Sequence, residues 1–270
     1  MSEINISKER SVYLKKRKKR KIAILICQIA ILVGFFVFWE VSTKIGWVDS
    51  FIMSSPSRII KTFSNVAQNN IFMHIGVTCY ETLVGFILGV VMGTVIAILL
   101  WWSKFFAKVA EPFLVILNSL PKIALGPVII ILVGAGTNAI IFMALAISLI
   151  VTVLEMLNGF LNTSSERLKM AKTFGANKVQ LFTKIVFPSN LSTLFNSLKI
   201  NIGLSLVGVI AGEFLVSKAG LGYLIVYGGQ VFQMDLVLSS VLILSVVAAL
   251  MYEAVVLCER ITNKFFGHNG

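Results

Sequence analysis

The chain has 270 residues, of which 57% are hydrophobic and only 13% are charged, and its formal net charge is +12. A soluble domain of ordinary composition carries about 25% charged residues, so this composition excludes a water-soluble globular protein. The basic excess alone would suit nucleic-acid binding, but the Lys and Arg residues lie around long apolar runs. This distribution indicates an integral membrane protein that contacts membrane lipid and no nucleic acid.

Apolar runs without charged residues recur along the chain and predict membrane-spanning helices. A helix needs about 20 apolar residues to cross a hydrocarbon core of ~30 Å. Three runs approach this length, with 18 residues in Ile22–Trp39, 21 in Thr82–Trp102 and 17 in Leu236–Tyr252. A fourth run, Ile123–Leu154, is too long for one span and contains a loop-like GAGTN sequence. We therefore predict an all-α integral membrane protein with about six spans, near 22–40, 78–102, 110–133, 138–161, 191–215 and 235–257.

The distribution of basic residues predicts the orientation in the membrane. With the N-terminus inside, the cytoplasmic segments hold 18 Lys and Arg residues and the external segments hold four. Cytoplasmic loops are enriched in Lys and Arg, so both termini are expected in the cytoplasm, beside anionic lipid headgroups. The prediction gives a basic cytoplasmic tail at 1–21, a transmembrane domain at 22–260 and a cytoplasmic tail at 261–270.

No group of side chains has the spacing of a catalytic or metal-binding site. Cys27, Cys79 and Cys258 are far apart in apolar segments, and His74 and His268 do not cluster with other candidate ligands. No pair fits a metal or redox motif, and the chain lacks the G-x-x-x-x-G-K-[ST] loop of ATPases. We therefore expect no metal ion, no cofactor and no enzymatic activity in this chain.

Three glycines repeat at helical spacing in the second predicted span. Gly85, Gly89 and Gly93 form G-x-x-x-G-x-x-x-G, which places them on one face of a helix. Small residues in this pattern allow the backbone of a neighbouring helix to approach closely. We expect this face to pack against another span, and a role in gating is the less favoured alternative.

The segment 162–190 is rich in charged residues and is expected to face the cytoplasm between the fourth and fifth spans. A T-x-x-E pattern at Thr163–Glu166 predicts a capping box at the start of a helix. Gly175 is expected to end this helix, and the N-x-x-Q pattern at Asn177–Gln180 predicts a second start. The product is a pair of short amphipathic helices joined at a glycine. The simpler alternative is a loop that lies on the membrane surface.

The same segment resembles the EAA loop of ABC-importer permeases. The family pattern is Glu-Ala-Ala, then Gly after three residues, then Ile-x-Leu-Pro after nine more. The matching positions in this chain are Lys169, Met170, Ala171, Gly175, Ile185 and Pro188. Lys169 and Met170 depart from the pattern, and Lys169 reverses the charge of the family's Glu. A salt bridge made by that Glu therefore cannot be carried over to this chain.

Two further stretches, 119–136 and 197–225, resemble permeases of the nitrate/sulfonate/taurine type, including the ending GLGYLI. This resemblance, which covers roughly residues 50–260, implies the type I permease fold with cytoplasmic coupling helices in a bacterial inner membrane. It implies a permease homodimer that works with two ABC ATPase subunits and an extracytoplasmic substrate-binding protein. ATP and Mg²⁺ would then be bound by the ATPase subunits, and the solute would be a small anion, a sulfonate or a vitamin-like compound. A secondary transporter or channel that works without ATPases is the alternative.

Ionisable residues within the predicted spans are candidates for the substrate pathway, because a charge at membrane depth is costly unless it is paired or functional. Lys122 and Lys199 are the two basic candidates, and the alternative role of structural ion pairing is favoured for each. The resemblance favours Glu213 as a structural or gating residue of the pathway. Three other acidic residues lie near predicted helix ends or beside polar neighbours, and the alternative to a pathway role is that they reach the interface: Glu81, Glu155 and Glu253.

Overall fold

The computed structural model describes residues 8–66 and 70–266, and the described residues form helices joined by short turns. Residues 1–7 of the predicted N-terminal tail and residues 267–270 of the predicted C-terminal tail lie outside the described residues. The described part of the chain divides between residues 64 and 65 into two units. Each unit is built around its own helices.

The first unit is dominated by one long helix. Helix α1 (Lys8–Ile45) has 38 residues and extends the predicted span 22–40 in both directions, so basic residues from Lys8 onward continue the same helix. Two shorter helices follow, α2 (Ser50–Met53) and α3 (Pro56–Val66). The Glu40 carboxylate accepts a hydrogen bond from the Ser57 N–H at 3.0 Å and thereby satisfies a free donor at the start of α3.

The second unit contains four helices that are each long and apolar enough to cross a membrane. Its helices are α4 (Ile71–Trp102), α5 (Lys104–Ser119), α6 (Gly126–Val133), α7 (Thr137–Leu161), α8 (Ser165–Thr173), α9 (Lys178–Leu181), α10 (Phe187–Ser189), α11 (Leu191–Val216), α12 (Leu221–Gln230) and α13 (Met234–Phe266). With α1, the described residues give five candidate spans, or six if α5 and α6 are counted as one bent span. The prediction of an all-α membrane protein with about six spans is confirmed.

The third predicted span, 110–133, is broken. Helix α5 ends at Ser119, and the chain turns by 83° before a short 3-10 turn and α6. Leu120 has an extended backbone, with φ −65° and ψ 139°. The cause is local, because Pro121 disfavours a helical conformation in the residue before it.

The core of the second unit is the packing of α7 between α4 and α11. The three glycines of α4 face Ala144, Ser148 and Thr152 of α7. A Cβ atom at Gly85 would lie 2.6 Å from the Cβ of Ala144, which is far inside ordinary contact. The predicted close packing through this glycine face is confirmed, because only a residue without a side chain fits so near to α7.

Helix α12 was not predicted, since its residues lie between the predicted spans 191–215 and 235–257. It packs on α13 and α4 through buried Leu221 and Leu224, which contact Ile71, Ile243 and Val247. A ten-residue helix is too short to span a membrane, so the length criterion that identified the spans could not find it.

Candidate functional site

The first helix of the segment 162–190 begins one residue later than the T-x-x-E pattern predicts. The N-cap of α8 is Ser164, and its side chain makes no capping hydrogen bond. The Thr163 hydroxyl instead donates to the Gly159 carbonyl at 3.4 Å and accepts from the Asn190 amide at 3.0 Å. The predicted capping box at Thr163–Glu166 is therefore wrong, because the Thr163 hydroxyl forms hydrogen bonds with the Asn190 amide and the Gly159 carbonyl.

The glycine at the end of α8 closes the helix as predicted. Gly175 has φ +78°, its N–H donates to the Lys172 carbonyl at 2.9 Å, and the Ala176 N–H donates to the Ala171 carbonyl at 3.0 Å. These two bonds form a Schellman motif, in which the residue after the C-cap takes a left-handed conformation that favours glycine. The turn reverses the chain with its last carbonyls satisfied.

The second helix begins with a complete capping box. The Asn177 side chain accepts from the Gln180 N–H at 2.8 Å, and the Gln180 side chain accepts from the Asn177 N–H at 2.9 Å. This reciprocal pair satisfies two free donors at the start of α9. The predicted second helix start is confirmed. Local hydrogen bonds thus fix both the end of α8 and the start of α9.

The segment is anchored to the ends of three membrane helices. Phe182 and Val186, in a π-helical turn after α9, are buried against Ala97 of α4, Ala107 of α5 and Phe160 of α7. Nearby, the Lys178 ammonium donates to the Trp102 carbonyl and lies 5.4 Å from the centre of the Trp102 indole. A displacement of α9 would therefore act directly on the ends of these spans.

Other residues of the segment form an exposed apolar surface. Phe174 is 83% exposed, and Met170 and Val179 are also exposed. We call Met170, Phe174 and Val179 the apolar tip. Of the six residues aligned with the EAA pattern, Lys169, Met170 and Gly175 are exposed, and Ala171, Ile185 and Pro188 are half-buried. The structure thus separates an anchored face around Phe182 from the apolar tip around Gly175.

The three predicted pathway residues have different surroundings. The Lys122 ammonium lies at the break between α5 and α6 and donates to the Asn118 carbonyl at 3.0 Å. The Lys199 ammonium forms an ion pair with Glu259 of α13 at 2.8 Å. Lys199 therefore has the structural pairing that was its alternative role, and this pair joins α11 to α13.

Glu213 lies at the centre of a buried polar cluster that joins α4, α11 and the start of α12. Its side chain is 1% exposed, and one carboxylate oxygen accepts from the Thr78 hydroxyl at 2.6 Å. The other oxygen accepts from the Gly222 N–H at 2.5 Å. Thr78 in turn accepts from the Leu221 N–H at 2.8 Å. The N-terminus of α12 is thus held by a carboxylate, as helix N-termini favour.

Two glycines leave the space that this carboxylate fills. A Cβ atom at Gly220 would lie 2.3 Å from the carboxylate of Glu213, and one at Gly222 would lie 2.7 Å from it. Gly220 also has φ +114°, and its N–H donates to Nδ1 of His74 at 3.0 Å. The sequence GLG therefore fits around the carboxylate, and we call His74, Thr78, Glu213 and residues 220–222 the Glu213 clamp.

Sequence reasoning missed His74 and Thr78 as parts of this site. Both lie on one face of α4 with Glu81, at the helical spacing i, i+4, i+7 within an otherwise apolar span. That spacing was the available signal. The alternative in which Glu81 reaches the interface is wrong, because its side chain is 1% exposed within the unit.

The sequence matches a family of known transport proteins. Residues 85–263 match the family described as "Binding-protein-dependent transport system inner membrane component". The chain is 28% identical over 226 residues to "Probable ABC transporter permease protein" of Haemophilus influenzae, a match that covers 83% of this chain and 92% of that protein. The relative's printed name describes an ABC transporter permease.

Two further relatives carry substrate names. The formylaminopyrimidine transport permease protein ThiX of Halalkalibacterium halodurans is 26% identical, with 83% of this chain and 90% of that protein covered. The taurine transport system permease protein TauC of Escherichia coli is 22% identical, with 86% of each chain covered.

The fold is also similar to a solved transporter structure. A chain of the bacterial ABC transporter involved in the import of the acidic polysaccharide alginate superposes with a TM-score of 0.64 at 14% identity. The superposition covers 92% of this chain and 98% of that chain. At this identity the likeness concerns the fold alone.

Proposed function

We infer that this chain, which belongs to the binding-protein-dependent transport system inner membrane component family, transmits movement from separate ATPase subunits to a transport pathway through residues 162–190. The chain is a multi-pass ABC-importer permease of the type I fold. The observation that carries the proposal is the exposed apolar tip, which lies in the same segment as Phe182 and Val186, the residues buried against α4, α5 and α7.

The exposed apolar tip favours a protein partner over water. Burying an apolar side chain such as Phe contributes about 1.5–3 kcal/mol, and Phe174 is 83% exposed. Helical apolar surfaces of this kind typically dock into a groove on a partner. Basic side chains surround the tip at Lys169 and Lys172, both exposed, so a groove with acidic residues at its rim would complement it.

The anchored face explains how docking would act on the membrane helices. Phe182 packs on Trp101 of α4, with ring centres 5.1 Å apart, and on Phe160 of α7 at 5.3 Å. Closely packed side chains transmit displacement because cores resist compression. When a partner moves the tip, the ends of α4 and α7 are therefore the first parts of the bundle to move.

The complete assembly that we propose contains two copies of this permease, two ABC ATPase subunits that bind ATP and Mg²⁺, and one extracytoplasmic binding protein. Residues 162–190 and both termini face the cytoplasm of a bacterial cell, in keeping with the excess of Lys and Arg in these segments. The named relatives transport taurine and formylaminopyrimidine, so we propose a small sulfonate or a vitamin-like heterocycle as the solute. The positive charge of Lys199 is not an argument for an anionic solute, because Glu259 already neutralises it.

The test compares three variants of the permease, reconstituted in vesicles with its ATPase and binding protein. Gly175→Val places a β-branched residue at φ +78°, where L-residues cost roughly 1–2 kcal/mol or more. No atom lies within 4 Å of its Cβ position, so the strain redirects the turn without a clash in the spans. Ala171→Asp places a charge beside the apolar tip. Both should insert normally and lose most binding-protein-stimulated ATP hydrolysis.

The matched control is Lys172→Gln, an exposed change on the same helix, which should retain most of the stimulated activity. If Gly175→Val and Ala171→Asp both stimulate ATP hydrolysis and transport as well as the parent, the segment is a membrane-surface loop and the proposed coupling is wrong. Transport that persists without any ATPase subunit would favour the alternative of a secondary transporter.

A further inference from the structure

A second carboxyl group lies beside the Glu213 clamp and has no role in it. Glu81 of α4 is 1% exposed, and both of its carboxyl oxygens are buried without a hydrogen-bond donor at standard distance among the described residues. The Glu213 carboxyl and the Thr137 hydroxyl both lie within interaction range of Glu81. Two buried carboxyl groups therefore face each other across the contact between α4 and α11.

Two carboxylates in contact in a buried site repel each other strongly, so such a pair holds a proton or a cation between its oxygens. Among the described residues, no cationic side chain forms an ion pair with either carboxyl. Lys218 lines an open pocket of about 390 Å³ next to Glu81 but makes no ion pair with either carboxyl in the described part of the chain. His74 directs Nδ1 to the Gly220 N–H rather than to a carboxyl.

The remaining titratable neighbours do not change this conclusion. Cys79 of α4 lies near Glu213, and a neutral thiol supplies no positive charge. Tyr223 of α12 stacks on His74, with ring centres 6.0 Å apart. Thr137 of α7 interacts with Glu81, and its hydroxyl is uncharged. None of these neighbours brings a positive charge to the second carboxyl of the pair.

The two carboxyl groups differ in the hydrogen bonds that they accept. Glu213 accepts from the Thr78 hydroxyl and the Gly222 N–H, and these donors stabilise an ionised carboxylate. No backbone N–H donates to Glu81 within the described residues. A proton on Glu81 therefore lets it donate to Glu213, and this arrangement satisfies both groups.

We propose that Glu81 and Glu213 form a proton-binding site, in which one proton resides on Glu81 and the resulting hydrogen bond ties α4 to α11 at the start of α12. The site takes up a proton when the two helices close on each other and releases it when they separate. The open pocket beside Glu81 gives the proton its path, since Glu81 forms part of the pocket wall together with Thr137, Ser217 and Lys218.

Infrared spectroscopy of the purified full-length permease at neutral pH tests this proposal through the C=O stretch of a protonated carboxylic acid. We expect such a band in the parent and its loss in Glu81→Gln, a variant that retains the shape of the protonated acid. The matched control is Glu155→Gln, which removes another acid with a buried oxygen on α7 and should leave the Glu81 component unchanged.

Three results would overturn the proposal: no protonated carboxyl band in the parent, a band that survives in Glu81→Gln, or a band that Na⁺ removes while choline does not. The last result would show a sodium site instead. If Glu81→Gln does not accumulate, Thr137→Val decides. Loss of its hydroxyl should shift the band because Thr137 contacts Glu81, and an unshifted band would count against the pair.

Discussion

The contact between α4 and α7 gives a sharp test of the packing, through Gly93→Ala. The added Cβ would lie 2.7 Å from the Cβ of Thr152 and 2.9 Å from the Leu149 carbonyl oxygen. Ordinary contact begins at 3.4 Å, so the two helices must separate locally by about 0.7 Å, judged from the nearer carbon. The carbonyl belongs to the backbone and cannot rotate away.

The consequence extends to a third helix. The Thr152 hydroxyl accepts a hydrogen bond from the Asn201 amide of α11 at 3.0 Å, and both residues are fully buried. Overpacking of this kind typically costs about 1–3 kcal/mol, and a strained buried hydrogen bond adds about 1 kcal/mol if it breaks. We expect Gly93→Ala to lose about 1–4 kcal/mol of stability in total.

The matched control is Gly76→Ala on the same helix. No atom lies within 4 Å of a Cβ at this position, so this variant reports only the gain in helix propensity of up to about 1 kcal/mol. The assay is thermal unfolding of the purified permease in one detergent, with Gly93→Ala expected to melt well below both the parent and Gly76→Ala. Equal melting temperatures for the two variants would refute the close packing of α4 on α7.

Three further predictions concern the clamp, the orientation and the assembly. Gly220→Ala places a Cβ 2.3 Å from the Glu213 carboxylate at φ +114°, so it should lower thermal stability and transport. The control Gly203→Ala, with nothing within 4 Å of its Cβ, should lower neither. Equal behaviour of the two variants would contradict the clamp. The orientation is tested in a background with the native cysteines replaced by Ala. There Lys218→Cys should react with an impermeant thiol reagent in intact cells, and Lys172→Cys should not. Labelling at position 172 would show that the topology is the reverse of the proposed one. Native mass spectrometry of the purified complex should find two identical permease chains, because oligomers of one chain are usually two-fold symmetric; a second, different permease chain would exclude the homodimer.

Local patterns in the sequence predicted local structure well. The capping box at Asn177–Gln180 and the left-handed glycine at Gly175 depend on residues within five positions of each other, and both are present. The glycine face of α4 was also predictable, because i, i+4 spacing alone defines one side of a helix. The partner helix was not predictable, since nothing in that spacing identifies α7.

Features that depend on distant residues escaped the sequence analysis. The Thr163 hydroxyl accepts a hydrogen bond from Asn190, 27 residues away. The T-x-x-E pattern therefore predicted a helix start that the folded chain does not form. The bond between Thr78 and Glu213 joins residues 135 positions apart. Glu213 could be singled out as a charge at membrane depth, but its clamp and its neighbour Glu81 follow only from the folded contact of α4 with α11.

The break at Pro121 shows a different limit. The proline was visible in the sequence, but it lies inside the predicted span 110–133, which was assigned from length and hydropathy rather than from chain direction. Hydropathy favours a single span through this point, whereas the backbone restriction before Pro121 favours a break. The restriction prevailed, because the residue before a proline resists the helical conformation.

The most direct test of the proposed coupling asks which chain touches the apolar tip. A photoreactive phenylalanine analogue at position 174, where the side chain is 83% exposed, should cross-link to the ATPase subunit in membranes that contain the whole importer. The same analogue at position 72, where Phe72 is 78% exposed near the other end of α4, is the matched control and should not capture that subunit. Mass spectrometry of the cross-linked product should identify the ATPase at position 174 only. If position 174 captures no ATPase, or position 72 captures it equally well, the segment 162–190 does not couple this permease to ATP hydrolysis.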